Sequence, residues 1–318
     1  MRRLRKTPLI RELVREVSLS RSDLIQPLFV EEGLNSDAPI ASMPGQFRLA
    51  PTSMVREAGG LVEKKVRSVI VFGIPSSKDE LGSAASDPKG IVQQSVESLK
   101  DQFGDELAVF TDVCMCQYTS HGHCGVVSNG NIENDQTLKH LGEIAVSHAR
   151  SGADIVAPSA MIDGQVKTIR EALDDNGFKD VGILAYAAKH ASSFFGPFRE
   201  AALSSPKFGD RRTYQMDYHN PEEALREIAL DIKEGADMIM IKPALAYLDV
   251  IYRAKRRFRM PTAAYNVSGE FAMVKAAARE GWIDEKSAIL EVLTAIRRSG
   301  ADMIISYHAK EAAEWLPG

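Results

Sequence analysis

The 318-residue sequence predicts an α/β protein, a (β/α)8 barrel with an extended N-terminal arm. One helix-to-strand pattern recurs three times, eight short apolar runs are spaced along the chain, and amphipathic segments separate them. The recurring pattern is Arg150-Ser-Gly-Ala-Asp-Ile-Val-Ala-Pro158, Lys233-Glu-Gly-Ala-Asp-Met-Ile-Met-Ile-Lys242 and Arg298-Ser-Gly-Ala-Asp-Met-Ile-Ile-Ser306. In each, the basic residue suits a last helical turn, where the partial negative charge of the helix end favours a cation. Gly152, Gly235 and Gly300 suit the positive φ just past a helix, and the apolar run after each Asp suits a strand buried on both faces.

The strands are expected at Leu24 to Val30, Ser68 to Gly73, Leu107 to Asp112, Asp154 to Pro158, Val181 to Tyr186, Met238 to Lys242, Thr262 to Val267 and Met303 to Tyr307. Helical spacing marks Gln136 to Ser151, Pro221 to Glu234, Gly269 to Glu280 and Glu285 to Ser299, with Asn220 and Ser268 as N-caps. Alternation of eight strands with helices in a chain of this size points to one barrel. A doubly wound open sheet is the competing arrangement, but no G-x-G-x-x-G comes after the first strand. No proline- or serine-rich linker divides the chain, so the expected boundary lies between an arm, residues 1–20, and the barrel, residues 21–318.

With 44% hydrophobic and 26% charged residues the chain can bury a large core. A net charge of -4 and a pI near 6.0 give no reason to expect nucleic acid, and no run approaches the roughly 20 apolar residues of a membrane span. The basic start, Met1-Arg-Arg-Leu-Arg-Lys6, resembles a signal n-region. Charges interrupt the apolar residues after it, as in Leu13-Val-Arg-Glu-Val17, so a cytoplasmic protein is expected. The basic stretch reads as a solvated arm or a subunit contact.

All three cysteines fall in Cys114-Met-Cys116-Gln-Tyr-Thr-Ser-His-Gly-His-Cys124, just past the third strand. An odd count argues against a disulfide framework, and C-x-C-x7-C suits a thiolate-held soft metal. Zinc is usually four-coordinate, so three cysteines leave one position for His121, His123 or water. An open position means catalysis, whereas a histidine in that position makes a structural knot. The place beyond a strand's C-terminal end favours catalysis.

Lys242 closes Met-Ile-Met-Ile and Lys189 comes after Ile-Leu-Ala-Tyr-Ala-Ala, so both ammonium groups emerge from apolar sequence. Burial and a second nearby cation lower a lysine pKa, leaving the free amine that attacks a ketone to form a Schiff base. Asp112, Lys189, Lys242, Ser268 and Tyr307 all end or follow strands and are expected to converge on one barrel mouth. The long connection through Ala191-Ser-Ser-Phe-Phe-Gly-Pro-Phe-Arg199 and Lys207-Phe-Gly-Asp-Arg-Arg-Thr-Tyr-Gln215 reads as a lid. Its Arg199, Arg211 and Arg212 suit a substrate carboxylate, and its closure would keep water from an imine.

These segments resemble the porphobilinogen synthases, or 5-aminolevulinate dehydratases, of the zinc-cysteine type. The carrying motifs are Asp112-Val-Cys-Met-Cys-Gln-Tyr-Thr-Ser-His-Gly-His-Cys-Gly125, Tyr186-Ala-Ala-Lys-His-Ala-Ser-Ser-Phe-Phe-Gly-Pro-Phe-Arg199 and Gly235-Ala-Asp-Met-Ile-Met-Ile-Lys-Pro-Ala-Leu-Ala-Tyr247. The resemblance runs from about Arg5 to the C-terminus. It implies a TIM barrel with an N-terminal arm, a homo-octamer, and a lyase that condenses two 5-aminolevulinate molecules to porphobilinogen, losing two waters, in haem and chlorophyll synthesis. It implies that Lys242 forms the first substrate's Schiff base, with Ser268 and Tyr307 on that carboxylate, and that Lys189 serves the second. Arg199, Arg211 and Gln215 match lid residues gripping the second carboxylate, and Asp112 matches a proton-transferring acid. Cys114, Cys116 and Cys124 match catalytic Zn2+ ligands, and Glu227 matches the glutamate of an allosteric Mg2+ site. The chain departs from the family at Gln215-Met-Asp-Tyr-His-Asn220, where Gln-Met-Asp-Pro-Ala-Asn is usual.

Two other classes fit parts of the pattern. A class I aldolase is a barrel with one Schiff-base lysine, but needs neither a second lysine nor the cysteine loop. A zinc-stabilised binding protein would use the cysteines structurally and would unfold on chelation.

Overall fold

The computed structural model describes residues 2–316, so Met1 of the arm and residues 317–318 of the expected barrel span lie outside the described residues. Eight parallel strands close on themselves: β1 Leu24–Glu31, β2 Ser68–Ile74, β3 Ala108–Val113, β4 Ile155–Pro158, β5 Gly182–Lys189, β6 Met238–Lys242, β7 Thr262–Asn266 and β8 Met303–Ser306. Closure comes from β8 pairing with β1, Leu24 opposite Ile304 and Ile25 opposite Ile305. The expected strands match within about one residue except β5, which runs on past Tyr186 to include Lys189.

The repeated Gly-Ala-Asp has one structural task, performed three times. Asp154 accepts from Val109 N at 2.7 Å and returns its own N–H to Val109 O at 3.1 Å. Asp237 does the same with Ile183 at 2.8 and 3.1 Å, and Asp302 with Thr262 at 2.8 and 2.7 Å. Each aspartate thus staples the base of an even-numbered strand to a neighbouring odd-numbered strand. The preceding glycines, at φ of 100, 108 and 119°, end the helices as expected.

Among the described residues, nine helices of seven or more residues surround the strands: α1 Pro51–Glu63, α2 Ile91–Phe103, α3 Asn134–Arg150, α4 Gln165–Asp175, α5 Pro221–Glu234, α6 Leu248–Phe258, α7 Ser268–Arg279, α8 Glu285–Ser299 and α9 Ala309–Trp315. One expected cap is corrected. Ser268 is the first helical residue of α7, behind Val267, and the entry is tied by Glu270, which accepts from Val267 N at 3.0 Å. Asn220 is the N-cap of α5 as expected, although its side chain donates to Glu223 instead of accepting a backbone N–H, and Pro221 opens the helix.

Strand alternation builds two cores. Ile25, Phe29, Ile70, Phe72, Phe110, Leu184, Tyr186, Met240, Tyr265 and Tyr307 share the cluster inside the barrel. Val30, Val69, Val109, Ile183, Ile239 and Ile304 face outward onto the helices. Before β1, the arm holds a short helix, Pro8–Leu13, with Leu9 and Leu13 exposed. Among the described residues no helix is long and apolar enough to cross a membrane.

Candidate active site

Lys189 and Lys242 are register partners on adjacent strands β5 and β6. Simple alternation from Leu184 and Tyr186 would turn Ala188 inward and Lys189 outward. Between Ala185 and Ala188 the register advances three residues in β5 against two in β6, from Ile239 to Ile241. This bulge restores Lys189 to the inner face, beside Lys242. Their Nζ atoms lie 5.6 and 5.1 Å from the Tyr186 ring centroid.

Lys242 Nζ also lies 4.0 Å from the Tyr265 ring, 4.8 Å from Phe198 and 5.4 Å from Phe195. Burial in this aromatic box, followed by repulsion from Lys189, lowers its pKa to about 7. Lys189 Nζ donates to Ser159 O. Asp112 is buried, and desolvation raises its pKa against hydrogen bonding from Ser159 and Gln117 and the weaker pull of Lys189 and Lys242. Gln117 Nε2 donates to Asp112 Oδ2 at 2.9 Å, leaving Oδ1 without a partner.

The sulfurs of Cys114, Cys116 and Cys124 all lie within 4.8 Å of one another, buried and unbridged. Hydrogen bonding to Cys116 and Cys124, then burial, pushes the Cys114 thiol well up. Cys116 accepts a hydrogen bond from Cys114 but is raised to about 11 by its bond to Cys124 and by burial. Cys124 is held well below the usual thiol range, first by the neighbouring Cys114 and Cys116 thiols. Three converging soft donors, one already inclined to ionise, fit a thiolate-bound metal. Neither histidine joins them. His123 Nδ1 lies 3.1 Å from Tyr214 Oη and its Nε2 3.0 Å from Phe208 O, while His121 Nε2 lies 3.2 Å from Glu80 O. The cysteine set therefore offers three sulfur donors, and no histidine joins the group.

The connection after β5 covers this loop. His123 binds it at two points, Lys207 N donates to His121 O at 3.0 Å, and Arg211 Nη2 donates to Gly122 O at 2.9 Å and Ser204 O at 2.7 Å. The buried Arg211 keeps its charge against desolvation because Cys124 and Cys116 attract it. Arg212, expected to share the carboxylate, instead points to solvent and lies 3.6 Å from Asp210. Buried polar atoms without partners cost about 1–3 kcal/mol each, and Asp112 Oδ1, Arg199 Nε, Arg211 Nε and Gln215 Nε2 are four such atoms. All belong to residues singled out from sequence.

Ser268 Oγ accepts from Phe198 N at 2.9 Å, pinning the start of α7 to the lid's root. Gly269 permits this approach, since a Cβ there would stand 2.5 Å from Phe194 O. Tyr307 Oη lies 3.0 Å from Tyr265 Oη inside the barrel. Glu227 lines a cavity of about 520 Å³ with Asp163, Glu223, Asp231 and Glu234, and Gln215 of the lid lines it too. Burial, and then Asp163 and Glu223, raise its pKa. Among the described residues only the cysteines form a tight group of three metal-binding side chains, so Glu227 belongs to no such cluster. Tyr186, Tyr265, Phe195 and Phe198 wall Lys242, a role that no sequence motif assigns to them. The inward alternation of Leu184 and Tyr186 is a signal for the first, whereas the two phenylalanines belong to the lid segment and reach Lys242 only through the fold.

The family described as delta-aminolevulinic acid dehydratase matches residues 1–315. The dehydratase of Archaeoglobus fulgidus is 58% identical over 99% of this chain and 97% of its own length. That of Bacillus subtilis is 51% identical over 99% and 97%. A crystal structure of the Toxoplasma gondii enzyme with the reaction product porphobilinogen superposes with a TM-score of 0.96, at 44% identity, covering 99% of this chain and 90% of that one. With relatives this similar over nearly their whole length, the chain belongs to the delta-aminolevulinic acid dehydratase family.

Proposed function

We propose that this lyase condenses two 5-aminolevulinate molecules to porphobilinogen, with loss of two waters, using Lys242 and Lys189 as paired Schiff-base lysines. The pairing of two lysines at one register position inside one barrel carries this reading. A class I aldolase has no use for the second amine.

Lys242, with a pKa of about 7, offers a neutral amine at physiological pH. Attack on the ketone carbon expels water and leaves an iminium, which withdraws electrons and acidifies the adjacent protons. Ser268 and Tyr307 are assigned to that substrate's carboxylate. Lys189 holds the second ketone in the same way, and Arg199, Arg211 and Gln215 hold its carboxylate and keep water out. Asp112, desolvated and with one free oxygen, is suited to move protons between the two substrates. Zn2+ on Cys114, Cys116 and Cys124 would supply Lewis acidity toward the second substrate, blunted by the thiolate charge.

Mg2+ at Glu227 is assigned an allosteric role, supported by the acidic residues lining its cavity. The exposed Leu9 and Leu13 support residues 1–20 as an arm that reaches another subunit of a homo-octamer in the cytoplasm. Incubation with 5-aminolevulinate should yield a pyrrole. Borohydride added during turnover should leave adducts on Lys242 and Lys189, read by peptide mass spectrometry. No pyrrole from metal-loaded protein would refute the proposal.

A further inference from the structure

Glu270 is 1% exposed and takes no part in the chemistry above. One carboxylate oxygen accepts from Leu245 N at 2.8 Å, and the other from Asn266 Nδ2 and Val267 N, both at 3.0 Å. Asn266 Oδ1 in turn accepts from Ser306 Oγ at 2.9 Å, and Ser306 Oγ accepts from His308 N at 3.1 Å. This buried chain joins three strand ends. Leu245 lies three residues past Lys242, Val267 immediately precedes Ser268, and Ser306 and His308 flank Tyr307.

Three aspartates already staple strand bases at the opposite end of the barrel. A buried carboxylate is costly to desolvate, and hydrogen bonds only partly offset that cost. Its benefit at the mouth is geometric, since a ketone acid must meet an amine and a carboxylate site at one fixed separation. We propose that Glu270 is a positioning residue that fixes Lys242 relative to Ser268 and Tyr307, and so selects ketones bearing a carboxylate. This rests on the assignment of those three residues to the first substrate.

Two ketone probes separate the possibilities. 4-Oxopentanoate carries the ketone and carboxylate of the substrate without its amine, and pentan-2-one carries the ketone alone. Each is trapped with borohydride at Lys242 of the zinc-loaded protein, and the half-saturating concentration is read by peptide mass spectrometry. The parent should take 4-oxopentanoate at far lower concentration. Glu270→Gln offers one acceptor and one donor, so it can serve Leu245 or the Asn266–Val267 pair but not both. Misplacement of this kind should raise the half-saturating 4-oxopentanoate concentration about tenfold or more, with pentan-2-one trapping unchanged. Equal loss for both probes would make Glu270 a general support of the fold, and no loss for either would make it idle; both overturn the inference. Should Glu270→Gln not fold, Ser306→Ala opens the same chain at its other end and must give the same selective loss, or the inference falls. A parent that does not discriminate between the probes would instead remove the Lys242–Ser268–Tyr307 assignment, and the inference with it.

Discussion

Lys242 illustrates how placement lowers the pKa of an ordinary side chain. Four aromatic rings replace its hydration shell, and Lys189 adds a like charge, so the neutral amine dominates above about pH 7. Lowering the pH through that value protonates the amine and slows imine formation. Trapping of 4-oxopentanoate at Lys242 should therefore rise with pH to a plateau, with a midpoint of about 7. A midpoint of about 10 would show a solvated lysine and refute this account. Lys242→Met should remove the first adduct. Lys189→Met should keep it while cutting turnover by roughly three or more orders of magnitude, because one ketone is then left unactivated. Near-parental turnover of Lys189→Met would reopen the single-lysine aldolase reading.

Strand β5 turns Lys189 inward through one extra residue. Without the bulge between Ala185 and Ala188, Lys189 would face the helices and the pair of amines would be lost. Deleting Ala187 should therefore abolish the Lys189 adduct while the Lys242 adduct survives, as peptide mapping after borohydride treatment would reveal. Survival of both adducts would mean that the bulge is not what aims the lysine. The Gly-Ala-Asp staples act at the other end of the strands. Asp302 accepts from both Thr262 N and Lys255 Nζ, at 2.8 and 2.5 Å. Asp302→Ala should cost about 1–3 kcal/mol, measured by urea unfolding. An unchanged midpoint would reduce the staple to a coincidence of geometry.

The molecule as a whole carries one core within the barrel and another between strands and helices. Cys114, Cys116 and Cys124 pack into the second, but most of both cores is built from strand and helix side chains away from the cysteine loop. Chelation should therefore abolish turnover while far-UV circular dichroism is retained. Loss of the fold would move the cysteines to a structural role, and full activity in metal-free protein would remove the metal from the chemistry. Oxidants and soft ions such as lead should inactivate for the same reason, since both consume thiolates. Because the lid is hydrogen-bonded to the cysteine loop through His123, Lys207 and Arg211, metal loss should also loosen residues 202–215, seen as faster proteolysis there.

The barrel was legible because its signals are local. Each Gly-Ala-Asp with its apolar run specifies a helix end, a turn and a buried strand within about ten residues, and eight such runs admit few arrangements. The grouping of the three cysteines and the convergence of both lysines were legible too, from spacing and from position after apolar runs. Other features rest on contacts between distant segments. The inward aim of Lys189 depends on register against β6, because alternation along β5 alone points it outward. His121 and His123, candidate ligands by spacing, are drawn away by Glu80, Phe208 and Tyr214. Arg211 and Arg212 are neighbours in sequence, yet one is buried over the thiols and the other is solvated, since only Arg211 finds a carbonyl of the cysteine loop to bind. Local sequence sets what each segment can become, whereas hydrogen-bond satisfaction across the closed barrel and its lid determines which side chains face one another.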